Sequence, residues 1–245
     1  MFSIPDIENF LIEFLIVFCF SLIGTFYVMP HSVRKLREFG FLAKDMYKSN
    51  LSKIPTNAGI ILLFTTYVSI SLFPIISRII NYSLDLDLFT NLSQTHLALV
   101  LVVSIYSIYG LVDDLVDTTR LMKLYLPITF SFPLMSILHP ENIAIPFFGS
   151  IDLTPDFIEG ISYSDIVRFL LVPTYVMVVA NLINMHSGYN GLQSGLSLIL
   201  ITTLIIKSHL ENKLDSILPV AAFTGSLFIF WFYNYFPARL FEGNI

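Results

Sequence analysis

Long apolar runs alternate with short polar segments along almost the whole chain. Runs of about 18 to 22 residues, each able to cross a hydrocarbon core of roughly 30 Å, lie near 10–30, 58–78, 95–112, 124–139, 166–185, 191–207 and 216–235. The fourth run contains Pro127 and Pro133, and a packed neighbour can satisfy the backbone groups that these prolines free. The pattern predicts an all-α, polytopic helical membrane protein with about seven transmembrane helices.

The composition agrees with this interpretation. Of the 245 residues, 55% are hydrophobic and 13% are charged, and the mean hydropathy is +0.76, a balance that soluble domains of this length do not reach. No repeat, low-complexity tract or linker divides the chain, so residues 1–245 are predicted to form a single transmembrane domain. Acidic residues precede the first run, which is too long for a signal-peptide core, and we expect it to remain as an anchor. The lone Cys19 excludes an intrachain disulfide.

The distribution of charge predicts an orientation. With the spans drawn as above, the loops at 31–54, 113–123, 181–190 and 236–245 lie on one side of the membrane and carry nine of the 13 Lys and Arg residues. Most of the acidic residues lie in the alternate loops and the N-terminal segment. The positive-inside rule therefore places the basic set in the cytoplasm and the N-terminus outside.

The longest loop on the outer side reads HPENIAIPFFGSIDLTPDFIEGISYSD. Its short β-like runs are interrupted by Pro146, Gly149 and Pro155, which favours a small outer-face hairpin. The loop has no Lys or Arg and no cluster suited to catalysis, so a structural role is favoured.

The segment YGLVDDLVDTTRLMK, at the end of the third run, carries the densest charge cluster. Asp113 and Asp114 are adjacent, Asp117 follows one helical turn later, and Lys123 stands nine residues after Asp114. Neighbouring carboxylates repel each other unless a proton or cation intervenes, so this pair can serve as a base or hold a metal. An acidic cap beside a basic membrane anchor is the alternative, and membrane prenyltransferases also use Asp-rich motifs to hold Mg-diphosphate.

The segment NLINMHSGYNGLQSG separates the fifth and sixth runs. Its Asn side chains offer carbonyl oxygens and amide donors, and its Gly residues let a ligand approach the backbone closely. A loop of this kind that leads into a helix can receive an anion such as a nucleotide phosphate. A glycine-rich turn with capping Asn residues is the alternative, and a lone His186 favours a solvated or capping role.

The first cytoplasmic loop, HSVRKLREFGFLAKDMYKSNLSKIPTNAGI, clusters six basic residues near the lipid headgroups. Attraction to anionic lipid, worth roughly 1 kcal/mol per basic residue near the surface, explains such a cluster without any catalytic role. Recruitment of a phosphorylated lipid is the alternative.

Three motifs together resemble those of the polyprenyl-phosphate N-acetylhexosamine-1-phosphate transferase superfamily. They are GLVDDLVDTTRLMK, NLINMHSGYNGLQSG and FPARLFEGN, and FLAKDMYKSNLSKIPTNAG is similar to the family's first cytoplasmic segment. The resemblance spans residues 31–245. The Asn-rich second motif resembles the eukaryotic and archaeal enzymes that act on dolichyl phosphate, because bacterial cell-wall enzymes have Asp where Ser187 and Asn190 stand here.

The resemblance implies transfer of GlcNAc-1-phosphate from UDP-GlcNAc to polyprenyl or dolichyl phosphate, with release of UMP, as the first step of N-glycan assembly. It implies Mg²⁺ as cofactor, with Mn²⁺ as an alternative, and an active site on the cytoplasmic side of an archaeal plasma membrane or the endoplasmic reticulum. The expected surroundings are membrane lipids, and no nucleic-acid partner is expected. Whether the chain forms a homodimer stays open.

The resemblance also implies roles for individual residues. Asp113 and Asp114 match the family's aspartate pair, which organises or deprotonates the attacking phosphate, and Lys123 matches its phosphate-contacting lysine. Asn184 matches a metal-ligating Asn, and Asn244 stands where many members have a second metal-binding Asp. A neutral Asn at that position would hold Mg²⁺ more weakly than a carboxylate.

Five further residues are implied to bind substrate. Phe241 stands where a family aromatic residue stacks on uracil, and Gly188 and Asn190 match positions that contact uridine. Asp117 matches a polar position near the nucleotide, and Lys44 is assigned to substrate binding.

One departure from the family pattern concerns length. Members continue for about three more spans, so this chain is expected to be truncated from a ten-helix fold and to lack part of the family's active site. An intramembrane prenyltransferase is the first rival, but it would need a second Asp-rich motif, which NLINMHSGYNGL does not supply. A transporter or a non-catalytic assembly subunit is the second rival.

Overall fold

A computed structural model of the protein describes residues 4–45, 53–86, 88, 92–116, 118–145, 147–211 and 217–244, with side chains from residue 11 onward. The α-helices in the described residues are α1 (Ile4–Glu38), α2 (Gly59–Leu84), α3 (Gln94–Val116), α4 (Arg120–Phe130), α5 (Phe132–Met135), α6 (Tyr163–Ile166), α7 (Val172–Met185), α8 (Leu192–Leu210) and α9 (Ile217–Asn234). A π-helical segment, Val167–Leu171, joins α6 to α7, and a 3₁₀ turn, His186–Gly188, follows α7.

Six helices among the described residues are long and apolar enough to cross a membrane. The prediction of a polytopic helical membrane protein is therefore confirmed. The six spans are Leu11–Glu38, Gly59–Leu84, Gln94–Val116, Tyr163–Gly188, Leu192–Leu210 and Ile217–Asn234.

The fourth predicted span, 124–139, differs from the prediction. It is divided into α4, with 11 residues, and α5, with four, and neither is long enough to cross a bilayer alone. The break falls at Ser131, just before Pro133, which has no backbone N–H to continue the helix. The hydroxyl of Tyr106 on α3 donates to the carbonyl of Pro127 over 2.9 Å, so a neighbouring helix satisfies a polar group inside α4.

Three small antiparallel hairpins accompany the helices. The hairpin predicted in the long loop before α6 is confirmed, and a second follows it directly. A further hairpin, which the sequence analysis does not predict, lies in the loop after α1. The paired strands are β1 (Leu42–Lys44) with β2 (Lys53–Pro55), β3 (Asn142–Ile145) with β4 (Gly149–Asp152), and β5 (Asp156–Ile158) with β6 (Ile161–Ser162).

Helix α9 lies at the centre of the packing, against α1, α2 and α8. Gly225 permits the close approach of α1, because a Cβ there would collide with the carbonyl oxygen of Phe18 and lie 3.0 Å from the backbone nitrogen of Leu22. Phe73 and Phe230 are among the largest fully buried side chains of this core. The helix that is most apolar in sequence is thus enclosed by others.

Buried hydroxyl groups link the same three helices. Ser226 of α9 lies 2.6 Å from the hydroxyl of Ser21 on α1 and 3.0 Å from that of Thr66 on α2. Thr65 of α2 donates to Ser226 over 3.1 Å and accepts from Thr25 over 2.9 Å. In a bilayer, where water cannot pair with these groups, such bonds hold neighbouring helices together.

The loops after α1, α3, α7 and α9 meet at one end of the bundle, which we call the site end. The backbone of Phe241 donates to the carbonyl of Pro55 over 2.9 Å and accepts from Ala58 over 3.1 Å. Gly59 at the start of α2 donates to the carbonyl of Glu242 over 2.9 Å. Three backbone hydrogen bonds therefore join the segment after α9 to the turn that leads into α2.

Candidate active site

The aspartate pair lies in the last turn of α3. Asp113 is 6% exposed, and one of its carboxylate oxygens accepts hydrogen bonds from the backbone nitrogen and the hydroxyl of Thr118. The same oxygen lies 3.0 Å from Nζ of Lys123. A buried carboxylate is costly unless it is paired and hydrogen-bonded, and these three contacts meet that requirement.

Lys123 reaches Asp113 because the chain turns sharply between α3 and α4. Thr119 caps α4, with its hydroxyl accepting from the backbone nitrogen of Met122 over 3.4 Å. Lys123 follows within the first turn of α4, since that helix begins at Arg120. The short connection between α3 and α4 thus brings the ammonium group of Lys123 back to the carboxylate of Asp113 at the end of α3.

Asn244, in the segment after α9, contacts both members of the aspartate pair. Its side-chain amide nitrogen donates to Asp113 over 3.0 Å, and its backbone nitrogen donates to Asp114 over 3.0 Å. Asp114 is exposed. Both carboxylates therefore have fixed orientations, with that of Asp114 open to solvent.

Gly243 is required for this approach. Its backbone φ is +77°, a conformation that residues with a side chain rarely adopt. A Cβ at this position would lie 2.9 Å from a carboxylate oxygen of Asp114 and 3.0 Å from Cα of Asn57. Only a residue without a side chain lets the backbone come this close to the aspartate.

Asn234, the last residue of α9, connects the remaining parts of the site end. It is 1% exposed, and its side-chain oxygen Oδ1 accepts from the backbone nitrogen of Gly191 over 3.0 Å and from the hydroxyl of Ser194 over 2.8 Å. Its side-chain nitrogen Nδ2 donates to the backbone carbonyl of Leu240 over 3.1 Å and to the carboxylate of Glu242 over 3.0 Å. Asn234 thus joins the start of α8 to the segment that carries Asn244.

Glu242 is buried beside this junction. Burial raises the pKa of Glu242 to about 7, although the hydrogen bond from Asn234 acts in the opposite direction. A carboxyl group with this pKa is partly protonated near neutral pH, which limits the negative charge behind the aspartate pair.

One cavity of about 500 Å³ collects four of the predicted residues. Its polar end is formed by Asp113, Lys123, Asn184 and Asn244. Its other walls are largely apolar and come from α2, α3, α7 and α9, among them Leu62, Leu63, Val102, Val103, Val176, Val179 and Phe223. The cavity is therefore amphipathic, with charge at the site end and hydrocarbon along the bundle.

The predicted substrate-binding residues that the structure describes lie outside this cavity. The side-chain amide of Asn190 donates to the buried carboxylate of Asp45 over 3.3 Å, so Asn190 fastens the α7–α8 loop to the loop after α1. Gly188 is exposed, and a Cβ there would meet nothing within 4 Å. Phe241 is held by its backbone, and Lys44 is exposed on β1 with Lys53 as its strand partner. The predicted Asp117 lies outside the described residues.

The donors at the polar end suit a hard divalent cation. Asp113 supplies carboxylate oxygens, and the side chains of Asn184 and Asn244 can supply amide oxygens. Asp114 adds a carboxylate next to this set, where it accepts from the backbone of Asn244. Among the described residues there is no group of three or more His, Cys, Asp or Glu that could hold a metal alone. An oxygen-only set with few carboxylates fits Mg²⁺, which is bound through one or two carboxylates together with substrate phosphates and water.

Several residues that shape the site are absent from the sequence-based predictions. Thr118 fixes the orientation of Asp113, and its position close behind the Asp-rich motif could have indicated this contact. Asn234 is a polar residue at the end of an otherwise apolar span, which marks a position with a specific partner. Gln193 lines the cavity, but nothing in its spacing indicates this.

The chain is similar in sequence to several known transferases. Archaeal proteins assigned as UDP-N-acetylglucosamine–dolichyl-phosphate N-acetylglucosaminephosphotransferases are similar over 240 residues, with 30% identity in Saccharolobus solfataricus and 27% in Sulfolobus acidocaldarius. Each alignment covers 96% of this chain and 66% of the relative. A phospho-N-acetylmuramoyl-pentapeptide-transferase of Borreliella afzelii is 26% identical over 260 residues, which cover 92% of this chain and 67% of the relative.

The chain thus spans about two thirds of the length of the relatives it matches. The sequence model of glycosyl transferase family 4 matches residues 96–245, the part that carries the aspartate pair, the Asn-rich loop and the segment after α9. This match confirms the resemblance that the motifs indicate, and the chain belongs to glycosyl transferase family 4.

Proposed function

We propose that this protein transfers GlcNAc-1-phosphate from UDP-GlcNAc to a polyprenyl or dolichyl phosphate and releases UMP. The observation that carries the proposal is the amphipathic cavity, in which a Lys, an Asp and two Asn side chains stand at the end of an apolar cleft. A phosphorylated isoprenoid has the same division between a charged head and a hydrocarbon tail. The names of the archaeal relatives support the same pair of substrates.

The chemistry requires two anions to meet. An oxygen of the lipid phosphate attacks the β-phosphorus of UDP-GlcNAc, a new P–O bond forms, and the bond from that phosphorus to the bridging oxygen breaks as UMP leaves. Because both partners are negatively charged, the site must supply positive charge and orientation more than covalent chemistry. Lys123 is placed to supply part of that charge at the polar end of the cavity.

The aspartates have different environments and so suit different tasks. Asp113 is buried and oriented by Thr118, Lys123 and Asn244, so its position is fixed before substrate arrives. Asp114 is exposed and can accept a proton from, or help to orient, the attacking phosphate. With Asn184 and Asn244, the two carboxylates would hold Mg²⁺, or Mn²⁺ in its place. The bound cation would neutralise the diphosphate and the departing UMP.

The nucleotide is proposed to lie toward the loop between α7 and α8. Gly188 and Asn190 belong to this loop, and Phe241 lies in the segment bonded to Asn234 and Pro55. Lys44 and Asp117 are kept as further candidates for substrate contact. Gly188, Asn190, Phe241 and Lys44 lie at the site end but outside the amphipathic cavity, which is consistent with a sugar nucleotide that reaches the cavity only with its phosphates.

The orientation is proposed from the charges of the loops. The protein is an integral membrane protein, and the site-end loops together with the adjoining ends of α1 and α4 carry nine of its 13 Lys and Arg residues. The positive-inside rule then puts the site in the cytoplasm and the N-terminus outside. A role at the start of lipid-linked glycan assembly, including N-glycosylation, is part of the proposal, since the protein would then use a UDP-sugar on the cytoplasmic side.

The test is a transfer assay with purified protein in detergent. UDP-GlcNAc labelled in the sugar, a polyprenyl phosphate and Mg²⁺ are incubated, and labelled lipid is extracted and counted. We expect label in a lipid diphosphate and stoichiometric UMP, both abolished by chelation and restored by Mg²⁺ or Mn²⁺. A protein that folds normally but gives neither product would overturn the proposal, and release of inorganic diphosphate from a prenyl diphosphate would instead identify a prenyltransferase.

A further inference from the structure

A second cavity, of about 400 Å³, lies at the site end and shares no lining residue with the candidate active site. We call it the basic cavity, because three of its lining residues are Arg37, Lys53 and Arg239. Its remaining walls are mostly apolar or aromatic and are formed by Pro30, Val33, Ile54, Tyr233 and Ala238. Nothing in the proposed transfer reaction uses this cavity.

The three cations come from three separate parts of the chain. Arg37 lies in the last turn of α1, Lys53 begins β2, and Arg239 follows α9. All three residues are exposed, so water and salt screen part of their mutual repulsion, and an anion bound between them would relieve the rest. The fold thus brings three basic side chains from separate elements into one cavity.

Neighbouring basic residues behave differently. Arg34 and Lys35 on the same helix end lie 3.7 and 2.7 Å from the carboxylate of Glu38. By contrast, within the part of the chain that the structure describes, none of the three cations of the basic cavity forms an ion pair with a carboxylate. Their charge is not neutralised by these residues.

Arg239 is already held in position for a ligand. Its backbone nitrogen donates to the carbonyl of Tyr233 over 2.8 Å, and Nη2 donates to the carbonyl of Phe232 over 3.1 Å. Its guanidinium lies 4.7 Å from the centre of the Tyr233 ring. Arg has five N–H donors in a rigid fork that matches phosphate geometry, so a fixed guanidinium loses little entropy when it binds a phosphate.

The cavity lies at the depth of lipid headgroups. The span Leu11–Glu38 has 28 residues, and at 1.5 Å per residue it is about 42 Å long, whereas the hydrocarbon core is roughly 30 Å thick. The end of α1, which carries Arg37, therefore extends beyond the hydrocarbon, and Pro30 and Val33 lie one to two turns nearer to it. Tyr233, near the end of α9, is an aromatic residue of the kind enriched at this level.

We propose that the basic cavity binds the phosphate group of an anionic membrane phospholipid. Arg37, Lys53 and Arg239 surround the phosphate, and the beginning of the acyl chains lies against Pro30 and Val33. The apolar wall favours a lipid over a free phosphate ion, which would leave that wall in contact with water. The binding is independent of the proposed transfer reaction and can fail or hold without it.

Native mass spectrometry of the purified chain in detergent tests the proposal directly. The protein is titrated with phosphatidylglycerol and, separately, with phosphatidylcholine, and the affinity of the first bound lipid is measured. We expect clear preference for phosphatidylglycerol, and a loss of about tenfold or more in that affinity for the double substitution Arg37→Gln and Arg239→Gln.

A matched control removes the same number of charges from the same end of the protein. The double substitution Arg34→Gln and Lys35→Gln lies outside the cavity and should change phosphatidylglycerol affinity by less than about threefold, or roughly half of one tenfold step. Equal losses in both variants would show general attraction to a basic surface and would overturn the proposal. If the Arg double variant fails to fold, Lys53→Gln, at an exposed strand end, serves in its place.

A third titration distinguishes the source of the phosphate. Inorganic phosphate is added at increasing concentration to the complex with phosphatidylglycerol, and the bound lipid is counted. We expect the lipid to remain bound. Displacement by phosphate at concentrations similar to those of the lipid would assign the cavity to a soluble anion and would overturn the assignment to a phospholipid.

Discussion

The side-chain amide of Asn244 donates a hydrogen bond to the carboxylate of Asp113 over 3.0 Å, across 131 residues of sequence. Its backbone nitrogen makes a bond of the same length to Asp114. The segment after α9 is therefore part of the candidate site, and the geometry of the aspartate pair depends on it. Changes in either partner should alter transfer more than they alter folding.

Replacement of Asp113 by Asn should reduce transfer of GlcNAc-1-phosphate by about a hundredfold or more. In the unsubstituted protein the carboxylate of Asp113 pairs with Lys123 at 3.0 Å and accepts a hydrogen bond from Thr118. The neutral amide of Asn cannot form the ion pair that holds Lys123. The measurement is the rate of labelled lipid formation. Asp152→Asn, on the exposed hairpin strand β4, is the control and should leave the rate unchanged; an Asp113→Asn variant with full activity would remove this residue from the mechanism.

Replacement of Asn244 by Asp should lower the Mg²⁺ concentration that gives half-maximal transfer. A third carboxylate at the polar end strengthens attraction for a divalent cation, and the backbone bond to Asp114 does not depend on the side chain. The measurement is a Mg²⁺ titration of the transfer rate. The exposed Asn142→Asp, on β3, should leave the titration unchanged, and an unchanged or weaker Mg²⁺ response in Asn244→Asp would show that this side chain does not face the cation.

Replacement of Gly243 by Ala should impair transfer strongly. The positive φ costs a side chain about 1–2 kcal/mol, and the new Cβ would lie 2.9 Å from the carboxylate of Asp114. Gly40→Ala separates the two effects, because Gly40 has φ of +80° but has nothing within 4 Å of the added Cβ. We expect a loss of thermal stability in both variants, larger in Gly243→Ala, and a loss of transfer only in Gly243→Ala; equal transfer rates would mean that the close approach has no catalytic consequence.

Replacement of Asn234 by Ala should destabilise the protein by about 2–4 kcal/mol. Four hydrogen bonds are lost, and the buried carboxyl group of Glu242 and the carbonyl of Leu240 are left without this donor. The measurement is thermal unfolding in detergent, with Asn142→Ala as an exposed control expected to have no effect. A small change for Asn234→Ala would show that water or Glu242 replaces these bonds.

Much of this architecture could be predicted from local sequence. Six of the seven apolar runs locate membrane helices, because a helix can span a bilayer only if its apolar stretch is long enough. The pairing of Asp113 with Lys123 is also a local feature, since only a short turn separates α3 from α4. The small hairpin formed by β3 and β4 follows from its turn residues.

The remaining features depend on contacts that no local pattern specifies. Asn190, predicted to contact nucleotide, has its side chain bonded to Asp45, and this pairing depends on how two distant loops pack. The bond from Asn244 to Asp113 depends on the path of the chain after α9. The division of the fourth apolar run depends on where Pro133 falls relative to the preceding helix, and average hydropathy does not register that position.

Replacement of Gly225 by Ala should test the packing of α9 against α1. The added methyl group would collide with the carbonyl oxygen of Phe18 and lie 3.0 Å from the nitrogen of Leu22, both backbone atoms that cannot move aside without shifting α1. We expect a loss of about 1–3 kcal/mol, measured by thermal unfolding. Gly24→Ala, within α1 and with nothing within 4 Å of its new Cβ, should be neutral or slightly stabilising because Ala favours helix. If both variants unfold at the same temperature, the two helices do not pack as closely as Gly225 implies.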